Sequence, residues 1–355
     1  MYSIRQRAMI DNVTFDQIFY FAPKKESASA SSSASASSSA GQDEHIKMNR
    51  HTVFVLDFFM DSAKSEFFVQ LSTPWLLMNN IRSMCTDVAV NRGTMGHDGV
   101  YKICHDDRLR FITANTVDAG QHNHLISLTL TTHEREQDYK KVITGYRSAS
   151  EALAVPLGPS EEFHMRKIPI HDGGIELDEK YLVGMSDAAQ AILNAHLPLF
   201  KRVKQCWAHE VRGGKGWKPK FADDWVEFNE DLHLEHFITH SVQGRVAGMF
   251  LDKKWTAKQP LHFPAYAKVW RDDRFGNSLH HGLAGGCSTG NSYESGHRLL
   301  HLELDRKRHG VETLLGPKGE KYSICNWLEH LSQEDEAKDF QTVPVPNHKD
   351  WRAAQ

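Results

Sequence analysis

The stretch HLISLTLTTH, residues 124–133, constrains the fold more than any other part of the chain. Ile126, Leu128 and Leu130 alternate with Ser127, Thr129 and Thr131. A repeat of two places alternate side chains on opposite faces of a strand, and no helix offers that period. A second run, HTVFVLDFFMD at 51–61, is β-rich and largely apolar, which predicts a buried central strand. RLRFITANTV at 108–117 precedes the alternating run, and Asp118-Ala-Gly120 supplies the turn between them. Between the first strand and this pair, residues 74–90 predict a helix: Pro74 stands at its start, and Leu77, Ile81 and Cys85 recur every fourth position. Strand, helix, strand, strand gives an α+β architecture, with an antiparallel-rich sheet layer in the N-terminal half.

The rest of the chain divides by composition. Residues 26–45 open on a Ser/Ala run with no side chains for a core, and they form a flexible linker behind a short arm, residues 1–25. The arm carries FDQIFYFAP, apolar enough to dock as an added strand or short helix on this body, a second copy or another protein. Residues 46–178 are expected as the α+β domain, 179–330 as a mainly helical region and 331–355 as a polar tail. Within the helical region, one helix is expected from the cap candidate Ser186 to about Val211, and another from Asp223 or Asp224 to about Val242. A third is expected over 297–309, capped by Ser295 and ended by Gly310, after a Gly-rich loop at 272–296.

Bulk properties exclude several classes. A net charge of −3 gives no overall field towards nucleic acid or anionic membranes. Five cysteines lie far apart with no CxxC pair, which argues against a zinc ribbon or a disulfide scaffold. No window has the apolar length of a membrane span and the N-terminus lacks a signal-peptide pattern, so a cytoplasmic protein without membrane contact is expected. Histidine is over-represented, at 22 residues. His122 and His124 share a strand parity beside the turn, and such a pair binds a divalent ion if a carboxylate converges. Asp57 is the first candidate, with Asp106 and Asp107 behind it.

A strand carrying FVLDFF, a helix, a strand, a turn and His-x-His running into an aliphatic strand resembles the element order of HUH endonucleases. These are the rolling-circle replication initiators and relaxases of phages and plasmids, and the nearest style is the filamentous-phage type related to the YagK/YfjJ proteins. The resemblance covers residues 50–147, with Asn123 between the histidines. It implies a divalent ion, magnesium or manganese, held by His122 and His124, for which Asp57 is the candidate third ligand. It also implies a tyrosine nucleophile on the following helix, Tyr139 or Tyr146, and single-stranded DNA as substrate. The metal would polarise the phosphodiester and the phenol would form a covalent phosphotyrosine.

Other patterns compete. His233, His236 and His240 fall on one arc of a helix, as do His297 and His301 on theirs, and either set suits a metal-dependent hydrolase. GGCSTG matches GxSxG through Ser288 but lacks the strand and helix of a nucleophile elbow. Residues 202–221 carry Arg202, Lys204, Arg212, Lys215, Lys218 and Lys220 interleaved with Trp207 and Trp217, a composition suited to phosphates and exposed bases. The leading expectation is a DNA-processing protein of a phage or other mobile element. The alternative is a non-enzymatic interaction or assembly protein that recruits a partner through its arm.

Overall fold

In the computed structural model the described residues are 50–84, 94–118, 122–154, 181–187, 189–207, 209–210, 216–238, 240–270, 291–316 and 319–338. The expected arm, the Ser/Ala linker, the GxSxG loop and most of the polar tail lie outside them. The strands are β1 (Phe54–Asp61), β2 (Glu66–Ser72), β3 (Thr94–Val100), β4 (Arg110–Val117), β5 (Asn123–Thr131), β6 (Tyr181–Ser186) and β7 (Phe200–Gln205). The helices are α1 (Pro74–Met84), α2 (Glu136–Ala154), α3 (Gln190–His196), α4 (Lys218–Phe221), α5 (Trp225–His236), α6 (Ser241–Lys258), α7 (Phe263–Trp270), α8 (Asn291–Glu303), α9 (Val311–Leu314) and α10 (Ile324–Glu336).

The seven strands form one mixed sheet in the order β1-β2-β5-β4-β3-β6-β7. The first five pair antiparallel, and β6 and β7 add in parallel. The architecture is therefore α+β, with the sheet in the N-terminal half and mostly helices after it. Three sequence expectations change. The 51–61 run is at the sheet edge rather than its centre, and Val55, Phe59 and Met60 on it are exposed. The sheet does not stop at residue 178, because β6 and β7 extend it. The helix expected over 186–211 is instead the end of β6, the short α3 and then β7. Pro198 cannot occupy a helix interior, and beyond it Phe200 and Val203 turn inward while Lys201 and Arg202 face out.

Both faces of the sheet are covered, so both parities of the central strands are buried. On one face Phe54, Phe68, Ile112 and Ile126 pack with Leu77, Ile81, Val142, Ile143 and Leu193 from α1, α2 and α3. On the other, Val69, Phe111, Leu128 and Leu130 meet Leu300, Leu304, Ile324 and Leu328 from the C-terminal part of the chain. Each such side chain contributes about 1.5–3 kcal/mol by leaving water. A bulge lets β5 serve both layers. Asn115 pairs with Leu125 but Ala114 pairs with Ser127, so Ile126 is the extra residue and the parity flips there. Ile126 consequently faces α2 while Leu128 and Leu130 face the opposite layer, and the single apolar parity expected for this strand is split.

A smaller aromatic cluster, with Phe221, Phe228, Trp255, Phe263 and Tyr266, holds α4 to α7 together. Among the described residues no helix is long and apolar enough to cross a membrane.

Gly184 lies where β6 passes under α3. A Cβ there would come 2.7 Å from His196 Nδ1 and 2.9 Å from the Phe200 ring. Gly184→Ala is expected to cost about 1–3 kcal/mol through overpacking, read as a lower urea midpoint at unchanged m-value.

Candidate functional site

The turn between β4 and β5 closes on Asp118. Its backbone N–H donates to His122 O at 3.1 Å, and its Oδ1 accepts the His122 N–H at 2.8 Å. The other carboxylate oxygen, Oδ2, then faces both imidazoles of the His-x-His pair: His122 Nδ1 at 3.3 Å and His124 Nε2 at 3.3 Å. On its far side His124 meets a second carboxylate, Asp335 Oδ1, 2.8 Å from Nδ1. Asp335 also accepts Asn79 Nδ2 at 2.8 Å and Trp75 Nε1 at 3.3 Å. His124, Asp118 and Asp335 are all buried, whereas the His122 side chain is 55% exposed.

With a carboxylate at each ring nitrogen, both nitrogens donate only if the ring is charged. Burial opposes that charge, but the hydrogen bonds and charges of Asp118 and Asp335 outweigh it and raise the His124 pKa. Burial likewise opposes the Asp335 charge, but the bond to His124 outweighs it, and Asn79 and the Arg82 charge lower the carboxyl further. The cluster fastens α10 to the sheet. Along the same helix Ser332 bonds His51 and Thr73, each at 2.9 Å, and Glu336 pairs with Arg50 at 2.7 Å and His51 at 2.9 Å. The sequence places residues 331–355 in a polar tail, yet α10 continues to Glu336 with Ser332 and Asp335 buried.

The other residues singled out by the sequence fall elsewhere. Asp57 is exposed on β1, opposite Gln70, with β2 between its strand and β5. It lines a groove of about 570 Å³ with Leu56, Lys140 and Lys141. Asp106 pairs with Arg108 and Asp107 with Arg308. The structure supplies Asp118 as the carboxylate at the histidine pair, a residue the sequence uses only as a turn signal.

Tyr139 and Tyr146 do share a face of α2, as their spacing requires, but that face is buried against the sheet, with exposures of 3% and 0%. Burial pushes the Tyr139 phenol well above its ordinary range, and Glu134 adds to the rise. The Tyr146 hydroxyl lies 2.9 Å from His97 Nε2, and His97 Nδ1 lies 2.7 Å from His196 Nε2. Burial lowers the His97 pKa to about 3 and that of His196 well below the ordinary value. This chain of two neutral imidazoles and a phenol is internal to the core. In this arrangement neither tyrosine is presented to a DNA phosphate.

The basic stretch is broken up. Lys204 is buried on β7 while Arg202 beside it is exposed. Trp207 stacks on His236 at 4.2 Å, and His233 meets the same indole edge-on. Lys220 lies 4.1 Å over Trp217, which packs against the aromatic cluster, and Lys218 is exposed. Arg212 and Lys215 lie outside the described residues. His297 is 2.9 Å from Thr113 Oγ1 and 3.6 Å from Asp98, and burial lowers the pKa of the half-buried His301. Among the described residues no group of three or more His, Cys, Asp or Glu side chains is gathered as a ready metal cage. No known protein-family model matches the chain, and no curated protein matches it.

Two outcomes follow from this geometry. Asp335→Ala is expected to destabilise the fold by about 3–5 kcal/mol, since it takes the buried acceptor away from His124 Nδ1, Asn79 Nδ2 and Trp75 Nε1, while His122→Ala stays within about 0.5 kcal/mol; chemical denaturation compares them. The buried imidazoles give opposite pH dependences. His97 and His196 have depressed folded values, so their contribution is full above the ordinary 6.5 and is lost as the pH falls from there. His124 has a raised folded value, so its contribution is full below 6.5 and is lost as the pH rises through that folded value. The stability of the wild type is therefore expected to fall on both sides of a maximum near neutrality. His124→Gln should flatten the alkaline limb in thermal melts run across pH.

Proposed function

We propose that the chain is a divalent-cation-dependent DNA-processing protein of a mobile element, with its cation seat at Asp118, His122 and His124. The observation that supports this most is the position of one carboxylate oxygen 3.3 Å from a nitrogen of each imidazole. Such separations suit neighbouring ligands of a small cation whose bonds are about 2.1 Å. Two imidazoles and a carboxylate are a mixed donor set, the carboxylate suited to manganese or magnesium and the imidazoles to transition ions. Asp335 stands behind His124 as the outer carboxylate that fixes ring orientation in many metal sites. His122 has the exposure to turn towards a ligand, and Asp118 and His124 are held in place by their bonds.

When bound, the cation would supply charge stabilisation to a scissile phosphate. The chain's own contribution is orientation. Asp118 ties the two imidazoles to one turn, and Asp335 holds His124 from behind. Seating a cation on Nε2 requires the His124 proton there to leave, so binding should strengthen as the pH rises. Among the described residues of the basic stretch, Arg202, Lys218 and Lys220 are the exposed cations, on the surface where a nucleic-acid backbone would lie.

A second reading rests on a different observation. His124 already has a carboxylate at each nitrogen, which makes a closed structural clamp without any ion. On that reading the protein is a non-enzymatic assembly factor. His122→Ala separates the two, because it spares the clamp. Titration with manganese, followed by metal content after gel filtration, is expected to show one ion per chain for the wild type and at least about tenfold weaker binding for His122→Ala. A single-stranded DNA nicking assay with manganese should show the same ordering. A wild type that retains no metal and cuts no DNA would leave only the clamp.

A further inference from the structure

Helix α6 has two apolar sides. One is spent inside the chain: Trp255 is buried with its Nε1 donating to Asp231 at 2.8 Å, and Leu251 packs on the same aromatic cluster. Lys254 and Lys258 on that flank pair with Glu227, Asp231 and Asp224 of the neighbouring segment. The other side faces out, and over residues 242–250 it carries large apolar side chains. Val242 is 50% exposed, Val246 47%, Met249 73% and Phe250 70%, and Phe237 at the end of α5 is 66% exposed. A contiguous apolar stripe of this kind marks an interaction surface.

The stripe has a register. Val242, Val246, Met249, Lys253 and Thr256 recur at alternating steps of four and three, which is the seam of a two-helix coiled pairing. In an antiparallel pairing the first member of such a step meets the second member from the other helix. Setting Val246 against Met249 of a second copy forces the rest of the alignment. Met249 meets Val246 of that copy, and Val242 meets the aliphatic stem of Lys253, whose ammonium reaches water. Arg245 then lies opposite Asp252 of the second copy, and Asp252 opposite its Arg245. Phe250 covers Gln243 on the other flank. Both charge pairs follow from the same register, and each contact occurs twice about one axis. That is the signature of a two-fold, self-complementary interface.

We propose that α6 is a homodimerisation surface, pairing antiparallel with α6 of a second copy through Val246 and Met249, with Arg245 and Asp252 setting the register. This stands apart from the cation seat, and neither depends on the other.

The test is sedimentation of the full chain over a dilution series. The wild type is expected as a dimer that dissociates on dilution. Met249→Glu is expected to be monomeric with an unchanged circular dichroism spectrum, since its side chain is exposed. Arg245→Asp and Asp252→Arg each place like charges opposite one another and should weaken association about tenfold, whereas the double charge swap should recover it. Recovery by the double variant distinguishes this interface from general loss of folding. A wild type that stays monomeric at all concentrations overturns the proposal. So does a dimer that survives Met249→Glu, or one that the double swap fails to restore. A chain that dimerises only after residues 1–45 are removed would show the arm, rather than a second copy, on the stripe, and overturns it equally.

Discussion

The buried contact of His124 with two carboxylates is the interaction on which the rest of this structure depends. It joins segments more than two hundred residues apart: Asp118 and His124 from one hairpin, Asp335 from α10. A charge in the interior is tolerated only when its partners are close and otherwise satisfied. That condition explains the surroundings. Asn79 and Trp75 donate to Asp335, the Asp118 carboxylate accepts the His122 amide, and the Arg82 charge acts on Asp335. Remove one member and the others are left with charges they cannot discharge to water.

This clamp decides the architecture around it. One layer of helices over the first face of the sheet comes from sequence-local connections, since α1, α2 and α3 each lie between strands that are consecutive in the chain. The opposite layer comes from the far end of the chain and needs a device to fix its register. The polar stripe of α10, with Ser332, Asp335 and Glu336, supplies it, and the apolar contacts of Ile324 and Leu328 supply the area. The bulge at Ile126 is the matching feature on the sheet, because it turns β5 so that both layers receive apolar side chains.

Much of the fold was legible in the sequence. The alternating run became β5, the helix after Pro74 became α1, and the turn at Asp118 joined the two strands it was expected to join. What the sequence hid has physical causes. Edge and centre strands share one composition when a strand's exposed residues are Val55, Phe59 and Met60, so β1 reads as interior. A one-residue bulge leaves no mark in a periodicity count, so parity alone puts His122 and His124 on one face with Ile126, Leu128 and Leu130. Parallel strands after a short helix look helical when lysines interrupt them, as in FKRVKQ. The site was half legible: the paired histidines stood out, while Asp118 read as a turn residue and Asp335 as part of a tail. Spacing cannot reveal a partner that arrives from the other end of the chain. The two tyrosines were correctly placed on one helical face, but periodicity alone does not tell a face turned to the core from one turned to a substrate.

The state of the His124 ring is the quantity on which both the clamp and the cation seat turn, and its nitrogen chemical shifts measure it directly. In labelled, metal-free protein, both ring nitrogens should carry protons at pH values above the ordinary histidine value of 6.5, with shifts of an imidazolium that move when Asp335 is changed to Asn. A ring that is neutral below that pH, or one whose shifts ignore Asp335, would contradict the account.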